Sequence, residues 1–185
     1  MSASEFIEIS PRLERALLDY AIEMARTTLS GEPEPLAPDC GGLEAGAFVA
    51  LRCGGEPRGF LGTLRRRPLH EAVASAARLA AVGDPRYETG SECVDAKVEL
   101  WLAGPTRPID GPGDMREDDG VVVRSGFNRA VHLPGVAGIG EGPDGVLASA
   151  CVAADLHPRA WQQEEVECLA FPTRRVGHES DEASC

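Results

Sequence analysis

Gly59 and Gly62 lie three residues apart in Pro57-Arg58-Gly59-Phe60-Leu61-Gly62-Thr63, a stretch that otherwise reads as a β-strand. Glycine weakens a strand interior, because it has no side chain to pack and loses the most backbone entropy on ordering. A pair of strand glycines marks a bulge or a close approach by another group. The rest of the chain has to supply that group.

The neighbouring segments show what is available. Ser10-Pro11 opens a helix, with serine capping free amides and proline at the first helical position. Leu13, Ala16, Leu17, Tyr20, Ala21 and Met24 then recur at three- and four-residue intervals as one apolar stripe, and Gly31 stops it. Phe48-Val49-Ala50-Leu51 reads as a strand, turned by Gly54-Gly55 into the glycine-bearing strand. An alanine-rich helix runs over residues 68–81 and stops at Gly83-Asp84-Pro85. Residues 94–103 form another strand, with Asp95, Lys97, Glu99 and Trp101 on one face and mostly apolar residues on the other. Residues 104–119 are loop-like. Residues 120–124 and 130–133 flank Gly126-Phe127-Asn128 as a hairpin. A helix around residues 146–155 and a strand over residues 166–171 close the chain, and the acidic tail, residues 177–185, reads as disordered. Helices and hairpins without regular strand–helix alternation specify an α+β fold, with an antiparallel sheet and flanking helices.

A chain of 185 residues fits one domain. No apolar run approaches the roughly 20 residues that span a bilayer, and the N-terminus lacks a signal-peptide pattern, so the expected location is cytoplasmic. Thirty acidic against 18 basic side chains give a formal charge of −12, which argues against nucleic-acid binding through phosphate neutralisation. The one basic run, Arg65-Arg66-Arg67, reads as a solvated strand-to-helix junction. Of six cysteines, none forms a Cys-x-x-Cys pair, and no histidine completes a metal-ligand spacing. They read as buried, reduced thiols, with no metal or cofactor implied. The glycines of residues 135–145 lack the phosphate-loop and dinucleotide patterns and read as a mobile loop.

The stretch Arg58-Gly59-Phe60-Leu61-Gly62 resembles the Leu-Arg-Gly-Cys-Ile-Gly signature of the AMME-syndrome candidate (AMMECR-type) protein family. Pro57 replaces the leucine, Phe60 the cysteine and Leu61 the isoleucine. Asp84-Pro85-Arg86-Tyr87, Val98-Glu99-Leu100, Gly120-Val121-Val122-Val123-Arg124-Ser125-Gly126 with Leu133-Pro134, and Pro158-Arg159-Ala160-Trp161 resemble further elements of the family in the same order. The resemblance implies one domain over residues 1–176, built as two lobes around a cleft beside the signature. It also implies kinship with protein A of the AmmeMemoRadiSam system. The partners would then be a Memo-type protein and a radical S-adenosylmethionine enzyme.

The cleft residues so implied are Arg58, Gly59, Phe60, Gly62 and Glu99. A cysteine in the signature would be a candidate nucleophile; Phe60 can neither attack nor ligate. Arg58 and Glu99 form a charged pair if their strands are neighbours, and an arginine there suits a small anionic ligand or a peptide carboxylate. The two glycines would let that ligand reach the backbone. Asp84 and Arg86 read as ties at the helix end, and His132 as a strand histidine able to face the cleft. Cys53 is the nearest substitute thiol: a two- or four-residue turn sets it on the same face as Phe60, a three-residue turn on the opposite one. The alternative is a non-catalytic interaction module in which Phe60 offers an apolar contact.

Overall fold

In the computed structural model, the residues described are 7–86, 96–136 and 142–176. They fall into two compact units, one of residues 7–86, 96–103 and 175–176 and the other of residues 104–136 and 142–174.

The first unit begins with α1 (Pro11–Ser30). Ser10 caps it as the sequence implies, its hydroxyl accepting from the Leu13 N–H at 3.2 Å, an interaction of about 1 kcal/mol. Gly31 ends it in the left-handed conformation at φ 73°, its N–H returning to Thr27 O. Strands β1 (Glu44–Cys53), β2 (Glu56–Pro68) and β3 (Lys97–Ala103) form an antiparallel sheet in the order β2-β1-β3. Both β1 and β2 extend well beyond the four- and seven-residue apolar cores visible in sequence. Helix α2 (Leu69–Val82) packs on β1 and β2, and α1 packs on α2 and β3. Val49, Leu51, Leu100 and Leu102 make the helix-covered face of the sheet, all 1% exposed or less. The expected strand over residues 94–103 starts at Lys97; Val94 and Asp95 lie outside the described residues.

The register carries one irregularity that sets the site. Ala50 pairs with Phe60 and Leu51 with Gly59, but Arg52 pairs with Pro57, leaving Arg58 as an extra residue. This is the bulge that the strand glycines anticipate.

In the second unit, β5 (Asp119–Ser125) and β6 (Asn128–His132) form the expected hairpin across Gly126-Phe127. Gly126 at φ 58° supplies the positive dihedral that the first position of such a turn requires. Strand β7 (Glu167–Val176) pairs with β5 and with the short β4 (Arg107–Pro108). β4 lies inside the stretch expected to be loop; the two-residue pairing is too short to leave a periodic signal. Helix α3 (Gly142–Ala153) starts four residues earlier than its apolar run suggests. It covers β5 and β6, burying Leu147 and Cys151 against Val121, Val123 and Cys168. Residues 137–141 of the glycine-rich loop and the tail, residues 177–185, lie outside the described residues.

Candidate functional site

The bulge at Arg58 decides which way the signature faces. Gly59 points toward α2: a Cβ built there would lie 1.9 Å from Ala80 O. Phe60, one residue on, therefore faces away from the helices, level with Ala50 and, beyond it, Glu99. Gly62, Phe48 and Trp101 line up in the next row of that face. A Cβ at Gly62 would meet the Phe48 ring at 2.5 Å and Ala47 O at 2.2 Å. The two glycines thus admit the chain's own helix and its own aromatic ring.

Phe60 is half-buried in an aromatic cluster. Its ring centroid is 6.0 Å from that of Phe48 in a stacked arrangement and 6.4 Å from that of Trp101, edge to face. Such pairs contribute about 0.5–1.5 kcal/mol beyond area burial. The Arg175 guanidinium lies 5.6 Å over the Trp101 ring, a cation–π geometry. Trp101 is fully buried, and its indole N–H has no hydrogen-bond partner among the described residues.

The main chain of Phe60 is held from the outer side of β2. Its N–H donates to Asp84 Oδ2 at 2.9 Å, and its carbonyl accepts from Arg86 Nη2 at 3.0 Å. The Asp84 carboxylate also takes the Arg86 N–H, Nε and Nη2 at 3.1, 2.9 and 2.7 Å. Burial alone would raise the Asp84 pKa. The Arg86 side chain, with the Phe60 and Arg86 amides, outweighs it and holds the carboxyl below its ordinary value. Asp84 and Arg86 tie the segment after α2 to the centre of the signature, a longer reach than the helix-end role legible in sequence. Tyr87, the last residue of that element, lies outside the described residues.

The expected Arg58–Glu99 pair does not form. β1 runs between β2 and β3, so the two side chains are not on neighbouring strands. Glu99 instead approaches Arg175 at 3.2 Å and Arg52 at 3.8 Å. Arg58 is exposed, and no hydrogen bond or ion pair links it to another described residue. His132 belongs to the other unit, with its pKa lowered by burial.

Cys53 fails as a substitute nucleophile on two grounds. The turn at Gly54-Gly55 is two residues long, which should place Cys53 on the Phe60 face, but the bulge at Arg58 reverses the parity. Cys53 shares the helix-covered face with Leu51. It is also disulfide-bonded, which corrects the reading of every cysteine as a reduced thiol. Cys40, Cys151 and Cys168 are free and buried. Burial raises all three thiols, Cys168 to about 11. Cys93 and Cys185 lie outside the described residues.

Sequence reading missed Arg52 and Arg175 as the partners of Glu99. It also missed a buried ion pair in the second unit, where Arg107 meets Asp119. Asp119 is 2% exposed and also accepts the Arg116 N–H at 2.9 Å. The signal for that pair was the acid opening an otherwise apolar strand.

Comparison with known proteins agrees with this architecture. The crystal structure of an uncharacterised protein from Pyrococcus horikoshii matches with a TM-score of 0.75 at 26% identity, over 91% of this chain and 93% of that one. A protein of Thermococcus onnurineus is 31% identical over 182 residues, covering 90% of this chain and 87% of its own. One from Methanothermobacter thermautotrophicus is 31% identical over 153 residues, covering 77% and 79%. The AMMECR1 family model matches residues 10–176, nearly the whole described chain, and with the signature, the Asp-Pro-Arg tie and the hairpin all in place, the chain belongs to the AMMECR1 family.

Proposed function

We propose that this protein is a non-catalytic binding member of the family, in which the face around Phe60 receives an apolar group and Arg58 takes the anion attached to it. The observation that carries this reading is the state of the signature centre. Phe60 is fixed through its backbone at both N–H and C=O, while its ring remains half-exposed over Phe48 and Trp101. A fixed aromatic surface offers contact area at little entropic cost. Arg58, exposed and without a counter-ion among the described residues, suits a carboxylate or phosphate. Glu99 already faces two arginines, so its part is to hold Arg52 and Arg175 beside the aromatic cluster.

The ligand class is a small anionic molecule with an apolar portion, or a peptide ending in a carboxylate. The pathway setting, beside a Memo-type protein and a radical S-adenosylmethionine enzyme, belongs to the same proposal and rests on the family resemblance. The test is a calorimetric screen of anionic small molecules and carboxylate-terminated peptides against the native protein, Arg58→Ala and Phe60→Ala. A true ligand weakens at least tenfold in each variant. Ligands that bind all three proteins equally would refute the assignment.

A further inference from the structure

Strand β2 is the outermost strand of its sheet, and its free edge is treated differently along its length. At Phe60 the outward N–H and C=O are taken by Asp84 and Arg86, so no other strand can pair there. Gly62 lies two residues on in the same register with β1, so its N–H and C=O point outward as well. No described residue takes them up. Beyond it the ladder breaks: Ala47 pairs with Thr63 and Ala45 with Arg67, which leaves residues 64–66 out of the pairing with β1.

Those residues lead into the only run of three successive arginines in the chain. Arg65 and Arg66 are exposed and Arg67 half-exposed, and none has an acidic partner among the described residues. Charge on an edge strand commonly serves to repel other copies. A chain of net charge −12 already repels its copies, however, and three unspent cations on such a protein make a local surface of the opposite sign. Arginine also suits two-point carboxylate recognition better than lysine does.

We propose that this edge is a docking site for an extended acidic segment of a partner protein, which pairs its main chain with Gly62 and sets its carboxylates against Arg65, Arg66 and Arg67. The Asp84–Arg86 tie at Phe60 fixes where the docked strand must end, at Gly62, one outward position short of Phe60. The site stands apart from the Phe60 face and does not depend on what that face binds.

The test uses the full chain and a fluorescein-labelled ten-residue peptide of alternating glutamate and valine, followed by anisotropy at low ionic strength. The expected result is saturable binding that falls at least tenfold in Arg65→Glu/Arg66→Glu. It should fall comparably when glutamine replaces glutamate or when alternate peptide amides are N-methylated. Circular dichroism confirms that the exposed double variant is folded. Absence of saturable binding overturns the proposal, as does equal binding by the double variant. N-methylated peptide binding as well as its parent would reduce the edge to a charged patch, and tighter binding of a single-stranded RNA of equal length would reassign it to nucleic acid.

Discussion

Gly59→Ala is the substitution that separates packing from ligand access at the signature. The new methyl carbon would stand 1.9 Å from Ala80 O and 2.9 Å from Ala80 C, whereas real contacts of this kind begin above 3.0 Å. The obstacle is backbone in the last turn of α2, so no side-chain rotation can relieve it. Either the end of α2 lifts from β2 or the strand deforms, and Ala76, Ala77 and Ala80, all fully buried, lose contact. Overpacking of this kind costs about 1–3 kcal/mol, and a rigid obstacle places it toward the upper end. Alanine recovers about 0.4–1 kcal/mol by restricting the unfolded chain. The net loss is therefore about 2 kcal/mol, read as a lower urea midpoint at unchanged slope, or a melting temperature about 4–8 °C lower for a chain of this size. Because Asp84 follows the displaced helix, the variant should also weaken the hold on Phe60, seen as faster hydrogen exchange at that amide. An unchanged midpoint together with lost ligand binding would refute this reasoning and return Gly59 to the role of admitting a ligand.

Other consequences can be measured directly. Asp84→Asn presents an amide N–H₂ to groups that are themselves donors and should cost about 2–3 kcal/mol by chemical denaturation, with Phe60 amide protection reduced. The Asp84 carboxyl titrates lower folded than unfolded, so its contribution is complete above the unfolded value near 3.9 and is lost as pH falls through the lower folded value. Acid unfolding of Asp84→Asn should accordingly show a shallower dependence below about pH 4 than the native chain. Asp119→Ala strips Arg107 of its buried partner and should cost about 3 kcal/mol, moderated because Arg107 keeps some exposure; a loss under about 1 kcal/mol would contradict the burial. Alkylation mapped by mass spectrometry should leave Cys40, Cys151 and Cys168 unmodified in the native protein and label Cys53 only after reduction.

Much of the architecture was legible because local signals agreed with the tertiary outcome. Ser10, Pro11 and Gly31 bound α1 through interactions made within a turn of chain, and Gly126 sets its hairpin in the same local way. The strand glycines announced a bulge or a close approach, and here both occur. What the sequence concealed was parity. A turn of two residues reads as a fixed relation between Cys53 and Phe60, and one extra residue at Arg58 inverts it without altering the pattern of residue types. The Glu99 partners were hidden for a related reason: pairing partners follow strand order, and β1 separates β2 from β3. Arg175 lies 76 residues from Glu99, beyond any local rule.

The hold that Asp84 and Arg86 exert on position 60 reaches only main-chain atoms. Every amino acid except proline offers that N–H and C=O, so the grip is indifferent to which residue it grips. Reactivity and geometry are thereby uncoupled at this one position. A lineage can exchange a sulfur for a benzene ring there without rebuilding the strand, its bulge or the helix behind it. The same separation makes position 60 a ready socket for engineering, where a new functional group would arrive already aimed.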